Sequence, residues 1–227
     1  NKRIPETFRI FSKNITTDEN DFSHKISIGF KLKNDVSFDT AGSYGAFCFF
    51  PTQEITNQKF LIHAPFLLTD NRQNLLPNQE WNKLLIKELV QLTQESFKVF
   101  RNEDLSGNNS ILAKNFLNFL PYNENAFFDQ NTSNPIQFYP FYKGFLELLQ
   151  TEQILPGRNN TFYNKEKAYW AADPDLADLF SDQQLSQLLA VDNAGFVFTD
   201  LGYKNAEYTN RPLANYLKYS VKEIIDP

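Results

Sequence analysis

Few residues of this chain have both the type and the spacing to do chemistry. Two histidines, His24 and His63, are far apart, and neither fits a metal-binding spacing such as H-E-x-x-H. His63, at a strand end beside an apolar run, reads as a satisfied structural His in preference to a ligand or base. The single cysteine, Cys48, lies in an apolar run. One thiol can make neither an internal disulfide nor a cysteine-rich zinc site, so Cys48 reads as a small buried hydrophobe. Asp173, Asp175, Asp178 and Asp182 cluster along one stretch. They suit a solvated helix start; a metal site is the alternative, and their spacing matches no calcium loop. No phosphate loop, dinucleotide fingerprint or nucleophile elbow occurs. A nucleophile, a base and an orienting partner cannot be assembled from these groups, which argues against a self-contained hydrolase.

Arg72 is different. It follows the apolar Phe66-Leu67-Leu68 and the turn-forming Thr69-Asp70-Asn71. A strand-to-loop junction puts its guanidinium at the rim of a sheet. Arg offers five fixed donors and a permanent charge, which is what polyphosphate recognition uses. The plainer reading is a solvated Arg, or one tied to Asp70.

The elements that must position Arg72 are legible from periodicity. Ile26, Ile28, Phe30 and Leu32 alternate with Lys25, Ser27, Gly29 and Lys31, the period of a half-buried strand. Thr7–Ser12, Tyr44–Phe50 (closed by Pro51) and Lys59–Ala64 are further strand candidates. The period then changes. Trp81, Leu84, Leu85, Leu89, Leu92, Val99 and Phe100 mark one face of a helix of about 20 residues. Asn78 suits its N-cap and Glu80 its first turn. An antiparallel sheet followed by a covering helix predicts an α+β layer pair over 1–102.

Residues 102–110, NEDLSGNNS, read as a polar linker. The second part, 103–227, is expected to be mainly helical. Its short helices are placed at Ile111–Leu120, Tyr139–Leu149, Leu176–Phe180 and Gln184–Ala190, with a closing helix over Leu213–Ile224 after Pro212. Ile154–Tyr163 reads as a turn between short extended pieces, and Gly195–Thr199 as a strand.

Composition bounds the function. The chain has 227 residues, 41% hydrophobic and 22% charged, enough for a sizeable core. The net charge of −5 and the lack of Lys/Arg runs argue against nucleic acid, which needs clustered cations. No apolar run approaches the roughly 20 residues of a membrane helix. One cysteine points to a reducing compartment, the cytoplasm. The start, NKRIPETFRIF, has neither Met nor an apolar leader and reads as the interior of a longer protein. The whole chain lacks Met, which has no physical account.

The stretch Ala46–Leu92, and within it Phe60–Asn82, FLIHAPFLLTDNRQNLLPNQEWN, resembles the middle (transducer) domain of sacsin-like GHKL ATPases of the heat-shock-chaperone type. Its A-P-F-x-L-T-x-N-R core is the specific part. The segment ILPGRNNTFYNKEKAYWAADPDLADLF is similar to the region after that domain in sacsin-like chains, a softer match. The resemblance implies a first domain like the second domain of ribosomal protein S-five: a small, mostly antiparallel sheet with helices on one face. It also implies a role for Arg72, as a sensor that reaches the γ-phosphate of ATP held by the preceding domain and stabilises charge as that group leaves.

The nucleotide-binding parts of that family are not found in this sequence. A helix with a Glu base and a magnesium-binding Asn, a D-x-G-x-G loop and a Gly-rich lid are all missing. DNAGF at Asp192–Phe196 places Ala194 and Phe196 where the two glycines should stand. Cofactor binding by this chain alone is therefore not expected. ATP and magnesium are expected in a full-length protein, bound by an upstream nucleotide-binding domain as its first partner. A homodimer or a protein client is a further possible partner. The alternative reading is a non-catalytic protein-interaction module, whose aromatic-rich second part would bind a client or sister subunit through its Phe and Tyr residues.

Overall fold

The computed structural model describes residues 6–16, 23–34, 37–107, 115, 118–171, 178–197, 215–218 and 220–224. The fold is α+β, as expected. Its backbone falls into two compact units, each discontinuous in sequence. The first comprises Asn1–Ser96 and Asn125–Gly144; the second comprises Phe97–Glu124 and Phe145–Pro227.

The first unit is built on a mostly antiparallel six-stranded sheet. Its strands are β1 (Thr7–Thr16), β2 (Ser23–Asn34), β3 (Ser37–Phe38), β4 (Tyr44–Cys48), β5 (Phe50–Gln58) and β6 (Leu61–His63). The order is β1-β2-β6-β4-β5, with β3 also on β2. Only the β4–β6 pair is parallel, with Ala46 opposite Ile62. The alternation read in β2 is realised: Ile26, Ile28 and Phe30 are fully buried. Phe30 and Phe60 meet at 5.1 Å between ring centroids, and Phe60 meets Phe141 at 6.0 Å. Each such pair contributes about 0.5–1.5 kcal/mol beyond its buried area.

Strand β5 was not foreseen, because Pro51 read as a terminator. It sits at the sheet edge, where a missing N–H costs no ladder bond. Its sequence is also largely polar, as suits a strand with one open side.

Helix α1 (Glu80–Ser106) covers the sheet and is longer than expected. The polar stretch from Asn102, read as a linker, is helical as far as Ser106. In the first unit the buried stripe of α1 runs through Leu85, Ile86, Leu89, Leu92 and Ser96; Leu84, placed on this face from sequence, is 37% exposed. Asn78 is not the cap. Its φ of 58° lies outside the extended region that a capping residue takes. Lys13 pairs with Glu88 at 2.7 Å, tying β1 to α1.

The second unit contains part of α2 (Tyr139–Thr151), which the first unit enters as far as Gly144. In the second unit Phe97, Phe119 and Phe145 pack edge to face. Short strands β7 (Leu155–Pro156) and β8 (Phe162–Tyr163) pair antiparallel. Strands β9 (Ala168–Ala171), β10 (Gly195–Phe196) and β11 (Lys222–Ile224) form a parallel sheet in the order β10-β9-β11.

Helix α3 (Asp182–Leu189) starts in a capping box, where Ser181 and Gln184 satisfy each other's backbone N–H groups. The closing helix is corrected. Among the described residues only 215–217 are helical there, and Lys222–Ile224 is a strand. Strand pairing with β9 overrides the helical spacing. Of the expected helix at Ile111–Leu120, residues 115 and 118–120 are described, and 115, 118 and 119 are helical; of that at Leu176–Phe180, residues 178–180 are described, and 178 and 179 are helical. Leu213 lies outside the described residues.

Candidate functional site

Arg72 lies in a loop that closes on itself. Leu68 and Leu75 form an antiparallel bridge, and Leu76 N–H donates to Leu67 C=O at 2.8 Å. Inside the bridge, Thr69 N–H donates to Asn74 C=O at 2.9 Å and Arg72 N–H to Thr69 C=O at 2.7 Å. The Asn71 side-chain oxygen accepts from Thr69 Oγ1 at 2.7 Å and from Gln73 N–H at 3.1 Å. Arg72 takes a left-handed φ of 56°. Such a conformation is uncommon for a non-glycine residue, and the surrounding bonds hold it.

The loop is fastened on two sides. From α1, the fully buried Asn82 accepts Leu67 N–H at 2.8 Å, and its Nδ2 donates to Leu67 C=O at 2.9 Å and Leu76 C=O at 3.0 Å. From β5, Gln53 N–H donates to Gln73 C=O at 2.7 Å, and Glu54 accepts Leu75 N–H at 2.9 Å. Burial pushes the Glu54 carboxyl above its ordinary range, and the Leu75 N–H partly offsets that shift. Trp81 adds Nε1–H···O=C to Pro65 at 2.9 Å. Arg72 itself is exposed. Among the described residues its guanidinium has no hydrogen-bond or ion-pair partner, so the pairing with Asp70 weighed from sequence is not made.

The other sequence candidates stay apart from this loop's chemistry. Cys48 Sγ donates to Phe66 C=O at 3.4 Å, and burial pushes its thiol up, which leaves it protonated at neutral pH. Burial lowers His63, whose ring meets Phe49 edge-on at 5.9 Å. His24 packs edge-on against Trp81 at 5.0 Å. Asp173 and Asp175 lie outside the described residues, and Asp178 pairs loosely with Arg158 at 3.8 Å. Among the described residues no group of three or more His, Cys, Asp or Glu could hold a metal ion.

Sequence reading missed a polar cleft of about 740 Å³ in the second unit. Thr161, Tyr163, Asp182, Ser186, Asp192 and Asn193 are among its lining residues. Tyr163 O–H donates to Asp182 Oδ2 at 3.0 Å and lies 3.1 Å from Thr161 Oγ1. Burial, before any other cause, pushes the Tyr163 phenol up to about 12. Asp182 Oδ1 is buried without a partner. The Tyr163 ring is pressed between two glycines. A Cβ on Gly157 would stand 2.2 Å from Tyr163 Cε2, and one on Gly195 would stand 2.1 Å from its hydroxyl. Gly195 belongs to the DNAGF run tested as an adenine loop; its role here is close approach to Tyr163.

Among the described residues no helix is long and apolar enough to cross a membrane. No family model, curated protein or solved structure matches the chain.

Proposed function

We propose that this chain is the transducer part of a sacsin-like, chaperone-type GHKL ATPase, and that Arg72 acts on the γ-phosphate of ATP bound by an upstream domain. One observation carries the reading: Arg72 is an exposed, uncommitted guanidinium on a loop bonded to both α1 and β5. A charge-stabilising Arg needs a fixed base, free donors and a charge that no pH removes. The resemblance across Phe60–Asn82 supplies the identity of the anion. The polar cleft of the second unit is lined by Asp182 and Asp192, which suit a polyphosphate poorly. ATP and magnesium therefore belong to the upstream domain in this reading, and the protein would work in the cytoplasm. Ordering of the Arg72 loop against the phosphate would couple nucleotide state to conformation.

The test is ATP turnover by the natural full-length protein that contains this sequence. Arg72→Ala should lower the rate on the order of a thousandfold, and Arg72→Lys should not restore it, because an ammonium lacks the fork of donors. Equal turnover by the wild type and Arg72→Ala overturns the proposal.

A second reading, a protein-interaction module, has its own observation. Phe49 and Phe50 at the β4–β5 turn are 76% and 74% exposed. Adjacent aromatics in water are unusual anchors to leave open. If Phe49→Ser/Phe50→Ser leaves suppression of client aggregation unchanged, this reading fails.

A further inference from the structure

A smaller cavity of the second unit, about 370 Å³, has a lining of the opposite charge. Arg101 and Leu105 reach it from one face of α1, about one turn apart. Gln153 lies just after α2, Phe162 and Tyr163 come from β8, and Lys167 immediately precedes β9. Among the described residues no Asp or Glu lines this cavity. It is an electropositive recess in a chain of net charge −5.

The Arg101 side chain is only 18% exposed, yet no carboxylate pairs with it closely. Its acidic neighbour Glu152 stands 3.9 Å from Nη1, beyond hydrogen-bond reach, and is bonded to Lys98 at 2.7 Å. An Arg this far out of water is normally paired. Neutral acceptors hold the guanidinium instead. Nη1 donates to Gln153 C=O at 3.1 Å, and Nε and Nη2 donate to the Asn102 side-chain oxygen at 3.1 and 3.0 Å. These bonds fix the fork and leave one N–H on each Nη without an acceptor. Lys167 adds an ammonium to the same wall, and among the described residues it has no hydrogen-bond or ion-pair partner. A fixed, desolvated guanidinium with spare donors is the strong form of carboxylate recognition. The cavity lies at the small end of the range for ligand sites, so a single small molecule fills it and meets both cations.

We propose that this cavity binds a small monocarboxylate with a short apolar body. The carboxylate takes the Arg101 guanidinium and the Lys167 ammonium. The body lies against Leu105, Phe162 and Tyr163, the apolar part of the wall. Leu105 is 56% exposed, so it has apolar surface for such a body to cover. Inorganic phosphate offers the charge without the body, and an alcohol offers the body without the charge. The site is independent of Arg72 and of any nucleotide.

The test titrates the whole chain with benzoate and with hexanoate, following backbone amide NMR shifts of Leu105, Gln153, Phe162 and Lys167. Benzyl alcohol, hexanol and inorganic phosphate are the controls. At least one carboxylate should bind about tenfold more tightly than any control, the scale of one charge-assisted hydrogen bond. Lys167→Gln should weaken that carboxylate about tenfold with an unchanged melting temperature, because the ammonium has no partner to lose. Arg101→Lys keeps the charge and loses the fork, and it should weaken binding to a similar extent. The proposal is overturned by absence of shifts at these amides up to about 10 mM carboxylate, by alcohols or phosphate binding as tightly as the carboxylates, or by unchanged affinity in either variant.

Discussion

The carboxamide of Asn82 and the backbone of Leu67 exchange two hydrogen bonds, N–H to Oδ1 at 2.8 Å and Nδ2–H to C=O at 2.9 Å. A second Nδ2–H reaches Leu76 C=O at 3.0 Å. One buried side chain thus imitates a strand partner for both ends of the Arg72 loop. Leu67 C=O also accepts Leu76 N–H at 2.8 Å, so the bonds that Asn82 alone supplies are those to Leu67 N–H and Leu76 C=O.

Asn82→Ala should therefore destabilise by about 2–4 kcal/mol, since it strands buried backbone groups as well as deleting bonds. Asn82→Asp should be comparably harmful, because a carboxylate cannot donate to Leu67 and Leu76 C=O. Urea unfolding measures the loss. Hydrogen exchange at Leu67 and Arg72 N–H should accelerate more than exchange in β2, because the substitution loosens the loop first.

Glu54 predicts a pH dependence of the same loop. Its folded pKa is raised by burial. The unfolded chain therefore loses this proton first as pH rises, and the folded state binds more protons in the interval between the two pKa values. Stability contributed by Glu54 is greatest below that interval and falls as pH rises through it. Glu54→Gln retains a side-chain oxygen for Leu75 N–H and carries no charge. It should flatten this part of the stability–pH profile and be neutral or stabilising at pH 7, as read from melting temperatures across the acid range. A steeper profile in Glu54→Gln would contradict the assignment.

Tyr163 sets the alkaline limit. Its phenol is pushed up to about 12 and the side chain is 7% exposed. An unfolded Tyr ionises near 10. Between these values the unfolded state sheds a proton that the folded state keeps, so stability falls by about 2–3 kcal/mol from pH 10 to 12. Tyr163→Phe should remove that slope. It should also cost about 1–2 kcal/mol at neutral pH, because Asp182 Oδ2 loses its donor. Ultraviolet titration of tyrosinate during alkaline unfolding separates the two effects.

How much of this was legible varies with the kind of interaction. The alternation of Ile26, Ile28 and Phe30 and the helical stripe through Leu85, Leu89 and Leu92 write burial directly into the sequence. The capping box Ser181-x-x-Gln184 fixes where α3 begins, two residues before the Gln184 start read from the sequence. Strand β5 was hidden because an edge strand can be polar and can contain Pro51. Strand β11 was hidden because Ile224 continues the helical spacing of Leu217 and Val221, and only pairing with β9 decides against a helix there. The position of Arg72 at a sheet-rim loop was readable from the turn residues before it. The work of Asn82 was not: an Asn inside a helix pattern gives no local sign that it closes a loop fifteen residues earlier. The polar cleft was invisible for the same reason, since β8, α3 and the Asp192–Asn193 turn meet only in the fold.

Gly195 gives the sharpest steric test of that cleft. A Cβ there would lie 2.1 Å from the Tyr163 hydroxyl and 2.2 Å from Cζ. Tyr163 has little room to retreat, because Gly157 lies against the ring's other edge, where an added Cβ would stand 2.2 Å from Cε2. Gly195→Ala should then destabilise by about 2–3 kcal/mol or more, the scale of overpacking at a site that cannot relax. Tyr163→Phe should not rescue it, because Cζ remains in the way. Tyr163→Ala removes the obstacle, so the double variant Gly195→Ala/Tyr163→Ala should be more stable than the sum of the two single losses predicts. A double-mutant cycle by chemical unfolding reads this coupling, which should be on the order of 1–3 kcal/mol. Additive losses would mean that the backbone at Gly195 moves away from the ring, and the packing of Tyr163 between the two glycines would no longer explain why both positions are glycine.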